Sequence, residues 1–151
     1  MKYVETALTP QVLDCLLKMS ADWAAENSCR GYYPNELSDI QGNRIFLALD
    51  EDAPVGYLLG KVCTAEKNST VMKKGTPFFE VEELYIIPAR RSRGLGGALF
   101  RYAEECVKQE AEFLLLSTAT KNWRAIFHFY IEELDMEFWS ARLFKRIGEK
   151  S

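Results

Sequence analysis

One histidine, His128, stands in a chain of 151 residues, and that scarcity narrows the chemistry. Zinc sites draw on histidines and closely paired cysteines. Here Cys15, Cys29, Cys63 and Cys106 are scattered with no Cys-x-x-Cys pair, so no metal is expected. A serine hydrolase would need His128 as its base, yet His128 sits in a helical apolar stretch and reads as a packed side chain. Unpaired thiols and an N-terminus without a signal-like apolar run predict a cytoplasmic protein with reduced cysteines. No apolar stretch approaches the length of a membrane span, so no membrane partner is expected. Positive charge is not in excess either. With 19 basic against 22 acidic residues the formal net charge is -3, which argues against nucleic acid as a partner.

What is present suits one folded domain spanning residues 1–151. Hydrophobic residues make up 48% of the chain, and a domain of this length buries roughly 70% of the surface its unfolded chain exposes. The most informative stretch is residues 78–100: Phe-Phe-Glu-Val-Glu-Glu-Leu-Tyr-Ile-Ile-Pro-Ala-Arg-Arg-Ser-Arg-Gly-Leu-Gly-Gly-Ala-Leu-Phe. Strand alternation assigns Phe79, Val81, Glu83, Tyr85 and Ile87 to one face, mostly apolar and suited to a core. The other face carries Phe78, Glu80, Glu82, Leu84 and Ile86, suited to a site where a polar reactant meets an apolar arm. Pro88 ends the strand. Arg90, Arg91, Ser92, Arg93, Gly94, Leu95, Gly96 and Gly97 follow, and glycines here let several N–H groups converge on an anion at the positive end of the next helix. Leu95, Ala98, Leu99, Tyr102, Ala103, Cys106 and Val107 then give that helix its apolar stripe.

A nucleotide-triphosphate cradle would end Gly-Lys-Ser/Thr, and a dinucleotide fingerprint would need glycine where Leu99 stands. Both fail on residue identity. Arg91-Ser92-Arg93-Gly94-Leu95-Gly96 instead resembles the Arg/Gln-x-x-Gly-x-Gly/Ala loop of the GCN5-related N-acetyltransferase (GNAT) superfamily, and the preceding Glu-Glu-Leu-Tyr-Ile-Ile-Pro resembles that family's fourth strand. The resemblance extends over nearly the whole chain. It implies an α/β fold: a mixed central sheet, antiparallel in its N-terminal part and parallel around the cofactor cleft, with flanking helices. It also implies that Arg91, Ser92, Arg93, Gly94, Leu95, Gly96 and Gly97 hold the pyrophosphate of acetyl-CoA.

The remaining chain fits that plan. Residues 3–8 read as a strand. Thr9 caps a helix that has Pro10 at its first position and ends within residues 27–31, and a short helix follows over 34–40. Residues 44–49 and 55–63 form a hairpin. The polar connection 64–77 is long enough to fold over a bound reactant. Residues 113–117 read as a buried strand, 122–134 as a helix, and 137–147 as one or two terminal strands. His128 falls within the helix.

By the same resemblance, the backbone of Leu84 polarises an acetyl carbonyl, and Tyr85 and Ile86 flank the pantetheine arm. Asn122 bonds that arm or caps its helix. Glu80 or Glu82 supplies the base, with Glu83 the weaker candidate. The acid of the family is a tyrosine on the last helix, here Tyr130, which stands one residue out of register with the segment around Asn122 and Ala125. Counted back from Leu134-Asp135-Met136 the tyrosine position falls instead on Ile131, so Tyr130 sits between two registers. One residue turns a helical side chain by about 100°, and the slip matters unless a local bulge absorbs it. Trp23, Tyr32 and Tyr33 are candidate walls of the acceptor pocket. The activity expected is direct acetyl transfer from acetyl-CoA to a small-molecule or peptide amine, in a protein whose mild acidity suits a cationic acceptor and which is compatible with a homodimer. The alternative is a non-catalytic acyl-CoA-binding or regulatory module on the same scaffold.

Overall fold

A computed structural model describes residues 1–149. Its centre is one sheet in the order β1-β2-β3-β4-β5, formed by β1 (Lys2–Thr6), β2 (Arg44–Asp50), β3 (Ala53–Thr64), β4 (Pro77–Ile86) and β5 (Phe113–Leu116). The first four strands pair antiparallel and β5 joins β4 in parallel, which is the mixed sheet expected. Helices α1 (Pro10–Glu26) and α2 (Leu37–Ile40) cover one face. Helix α3 (Leu95–Val107) covers the other, and α4 (Trp123–Phe127) runs straight into a π-helical stretch, His128–Glu133.

The two faces have separate cores. Phe46, Leu58, Phe79, Leu99 and Phe100 are fully buried on the α3 side. Leu16, Ile40, Ile45, Tyr57 and Leu59 fill the α1 side. Each such aliphatic or aromatic side chain contributes about 1.5–3 kcal/mol relative to exposure, so the sheet is held rigidly between its helices. Helix α1 starts as its sequence dictates: the Thr9 hydroxyl accepts from the Val12 N–H at 3.2 Å and Pro10 occupies the first turn.

One irregularity reorganises β4. Leu59 of β3 lies opposite Glu83, but its neighbour Gly60 lies opposite Val81, so Glu82 is an extra residue in the β4 strand. A bulge of this kind switches the alternation. The even split of the strand into two faces therefore holds only up to Glu82. Phe79 and Val81 pack on the α3 side together with Ile86 and Leu84, while Tyr85 joins the α1 side and Glu83 bonds to residues there. Gly60 permits the irregularity: a Cβ there would lie 2.4 Å from the Phe79 ring and 2.7 Å from the Glu80 carbonyl.

Three other expectations are corrected. Residues 137–147 form no strand; Leu143 and Ile147 are 94% and 92% exposed. Their apolar residues fall at 138, 139, 141, 143, 144 and 147, on both faces of an extended chain and among Arg142, Lys145 and Arg146, and no strand of the sheet pairs with them among the described residues. The connection 65–76 does not cover the site. It closes on itself through Ala65 N–H to the Thr76 carbonyl (2.9 Å) and Gly75 N–H to the Ala65 carbonyl (2.8 Å), and none of its residues lines the cleft. His128 is exposed rather than packed and contacts Glu132.

Candidate active site

Strands β4 and β5 pair only from Phe78–Phe113 to Val81–Leu116 and then part. The gap continues into an open cleft of ≈ 770 Å³. One wall is the unpaired edge of β4, where Leu84, Tyr85 and Ile86 line the opening. Backbone groups on a free strand edge are ready to pair with an extended, strand-like ligand.

At one end of the cleft the chain turns through the arginine-glycine segment into α3. Ser92 and Gly94 have φ of 63° and 77°, which glycine adopts freely and serine only at a cost of about 1–2 kcal/mol. The first helical hydrogen bond there runs from the Ala98 N–H to the Gly94 carbonyl at 3.0 Å. The N–H groups of Gly94, Leu95, Gly96 and Gly97 therefore precede the helical ladder and are free for an anion at the positive helix end. Ser92 and all four of these residues line the cleft, whereas Arg93 does not. Arg90 is tied to Asp50 at 2.6 Å. Arg91 is tied three ways, to both carboxylate oxygens of Glu26 (2.6 and 2.8 Å) and through Nε to the Ile86 carbonyl (2.8 Å). Its guanidinium also lies 5.2 Å over the Tyr85 ring.

The other end is built from side chains. Bulging at Glu82 turns Glu83 toward α1, and its Oε1 accepts from the Tyr57 hydroxyl (2.7 Å), the Asn35 amide (2.9 Å) and the Tyr32 hydroxyl (3.1 Å). Tyr32 is fixed in turn by a 2.6 Å hydrogen bond shared with the wholly buried Ser20. Burial outweighs these hydrogen bonds and holds the Glu83 carboxyl above its ordinary range. Burial likewise pushes the Tyr32 phenol up to about 12. Trp23 stacks 4.3 Å from Tyr32 and 5.3 Å from Tyr85, completing the wall. Tyr33 takes no part: it is 79% exposed and lies outside the lining.

Glu82 lines the cleft and pairs with Lys61 at 3.6 Å. Glu80 lies outside the lining. Its carboxyl is raised, first by burial and then by the neighbouring Glu82 carboxyl.

Across the cleft, Tyr130 sits in the π-helical stretch. The Leu134 N–H reaches back five residues to the Phe129 carbonyl at 3.1 Å, which inserts one residue into the turn. Tyr130 lines the cleft, partly buried against Phe100 and Phe129. Burial pushes its phenol up to about 12, with nearby Cys29 a lesser contributor. Asn122 caps α4, accepting from the Ala125 N–H at 3.4 Å, and is not part of the lining.

A strap closes one side. The Arg30 N–H donates to the Ala119 carbonyl and the Lys121 N–H to the Ser28 carbonyl, both at 2.9 Å, with Cys29 opposite Thr120. The segment after α1 is thus stitched to the segment after β5. Glu26, Asn35, Tyr57 and this strap have no recognisable motif in the sequence, because each acquires its meaning from a partner 26 to 94 residues away.

The sequence model of the acetyltransferase (GNAT) family matches residues 14–135. No curated protein matches the sequence as a relative. Among solved structures, a mutant of the BH1408 protein from Bacillus halodurans superposes with TM-score 0.71 at 15% identity, over 97% of this chain and 99% of that one. An aminoglycoside N-acetyltransferase, AAC(6')-Iy, in complex with CoA gives TM-score 0.66 at 14% identity, over 97% and 99%. A ribosomal-protein-alanine N-acetyltransferase from Brucella melitensis biovar Abortus 2308 gives TM-score 0.66 at 16% identity, over 97% and 100%.

Proposed function

Because the chain belongs to the acetyltransferase (GNAT) family and is an N-acetyltransferase, we propose that it transfers acetyl from acetyl-CoA directly to an amine, small-molecule or peptide, held where Glu83, Tyr32 and Trp23 meet. The observation that carries this reading is the joining of a free N–H cradle and a half-buried carboxylate by the unpaired edge of β4. The fit to acetyl-CoA rests on the chemistry of the cleft. Four N–H groups at a helix start suit a pyrophosphate, and a free strand edge beside Leu84 and Ile86 suits an amide-bearing arm.

Acetyl-CoA supplies an acetyl group activated as a thioester. The chain's own residues do the rest. The N–H groups of Gly94 to Gly97, with Ser92 beside them, hold the anionic end. The backbone N–H of Leu84 polarises the carbonyl, an electrostatic role that no side chain at 84 could replace. An alkylamine with pKa near about 10.4 arrives protonated, so a base must take a proton before nitrogen attacks. Glu83 is suited to that step: burial raises its proton affinity, and its Oε2 accepts no hydrogen bond among the described residues. Glu82 faces the same cleft and is the alternative base, with Glu80 beside it outside the lining. As the C–N bond forms and the C–S bond breaks, Tyr130 gives its proton to the departing thiolate. Its raised pKa keeps that proton in place at neutral pH.

The test is a thiol-release assay with acetyl-CoA across a panel of primary amines, using Glu80→Gln, Glu82→Gln, Glu83→Gln and Tyr130→Phe. Loss of turnover in Glu83→Gln and Tyr130→Phe with CoA binding retained supports the assignment. Full turnover in Glu83→Gln, with loss in Glu82→Gln or Glu80→Gln, moves the base to that residue. An acetylated cysteine accumulating in a single turnover overturns direct transfer.

A further inference from the structure

Glu26 is the last residue of α1 and is bonded to both Arg91 and Tyr85. Its carboxylate receives two hydrogen bonds from Arg91, at 2.6 and 2.8 Å, and a third from the Tyr85 hydroxyl at 3.0 Å. Arg91 is the residue from which the chain turns through Ser92 and Gly94 into α3, so anchoring it sets the aim of the cradle's N–H groups. Trp23 lies one turn earlier on the same helix and stacks on Tyr85 and Tyr32. A closed ring of contacts results: Arg91 to Glu26, Glu26 to Tyr85, Tyr85 beneath Arg91, and Trp23 against Tyr85.

We propose that Glu26 is a positioning residue that couples the two ends of the cleft, holding the cradle through Arg91 and the acceptor wall through Tyr85 and Trp23, so that filling the cradle is transmitted to Trp23. The proposal rests on the reading of the cradle as a CoA site. Arg91 commits two of its five N–H donors to Glu26 and a third to the Ile86 carbonyl. An anion arriving beside Arg91 pulls on a guanidinium that cannot move without Glu26 and Tyr85, and Trp23 packs directly on Tyr85. The Arg91 hydrogen bonds hold the Glu26 carboxyl below its ordinary range, so the ring stays charged at neutral pH. Coupling of this kind is reciprocal: acceptor at the wall strengthens binding at the cradle by the same factor.

A plain charge neutraliser in the place of Glu26 would behave oppositely. Its removal would free Arg91 and tighten anion binding, and an aspartate would serve as well as a glutamate. The experiment uses the full chain carrying Trp123→Phe and Trp139→Phe, both exposed residues, which leaves Trp23 as the reporter. CoA is titrated by calorimetry and by Trp23 emission into this protein and into its Glu26→Gln and Glu26→Asp variants. The expected result is that CoA changes Trp23 emission in the parent, while both variants bind CoA about fivefold more weakly and lose most of the emission change at saturation. The Glu26→Asp change keeps the charge but withdraws it by one methylene, so its failure separates position from charge. Tighter CoA binding in Glu26→Gln, or an undiminished Trp23 response at saturation in either variant, overturns the proposal. So does heat of CoA binding in the parent with no change in emission, which leaves the cofactor reading standing. No heat in the folded parent overturns both.

Discussion

The two ends of the cleft are made of different material. At the α3 end the working groups are main-chain N–H donors, aimed by two residues of positive φ and a helix start. At the Glu83 end they are side chains gathered from α1, the α1–α2 connection, β3 and β4. A main-chain site tolerates exchange of side chains but not of backbone freedom. A side-chain site is the reverse, since one altered atom removes a donor or a base. A substitution confined to the reacting groups should therefore act on turnover, and one confined to the backbone cradle on cofactor binding, with Glu26 the proposed link between them.

The sharpest way to draw that line is Glu83→Gln. The amide keeps an oxygen for Tyr57, Tyr32 and Asn35 but cannot take a proton, so kcat should fall by about 10²–10⁴-fold with CoA affinity unchanged by calorimetry. Tyr130→Phe should lower kcat by about 100-fold, near the low end for proton transfer, again without weakening CoA. Gly94→Ala should do the opposite. Placing a Cβ at φ 77° costs about 1–2 kcal/mol, which should appear as roughly tenfold weaker CoA binding with kcat at saturation little altered.

A smaller effect tests the raised carboxyl itself. A group whose folded pKa lies above its unfolded value stabilises the fold at low pH, and that contribution is lost as pH rises through the folded pKa. Charged Glu83 is thus a liability at neutral pH, and Glu83→Gln should melt higher than the parent at pH 7.5. The gap should close as pH falls toward the carboxylate range. In the parent, kcat/KM should decline on the acid side at a pH above the ordinary glutamate range. A gap in Tm independent of pH would break the argument. Smallest is Thr9→Ala, which removes the α1 cap far from both ends and should cost about 1 kcal/mol of stability. It should change neither CoA affinity nor kcat.

The same contrast explains what the sequence can reveal. Glycine spacing, the Pro88 stop and the α3 stripe are local, so the cradle and the strand feeding it are readable in order. Strict alternation underrates Glu83, because the bulge is set by the fit of Gly60 against Phe79, on two strands that meet only in the fold. Tyr130 stands out in the sequence, but its register depends on a π turn that no local pattern announces. Arg91 reads as facing the anion alone; its partner Glu26 lies 65 residues earlier on a helix whose stripe looks purely structural. Residues 137–147 mislead in the other direction. They have strand-forming side chains, yet β5 is only four residues long and no partner strand stands beside them among the described residues.

The central claim is that one cleft binds acetyl-CoA by its backbone end and reacts at its side-chain end. Calorimetric titration of acetyl-CoA into the native chain and into Glu83→Gln, with NAD as control, tests it most directly. The account predicts one molecule bound with the same affinity by both proteins and no binding of NAD. Absence of acetyl-CoA binding to the folded native chain would contradict it.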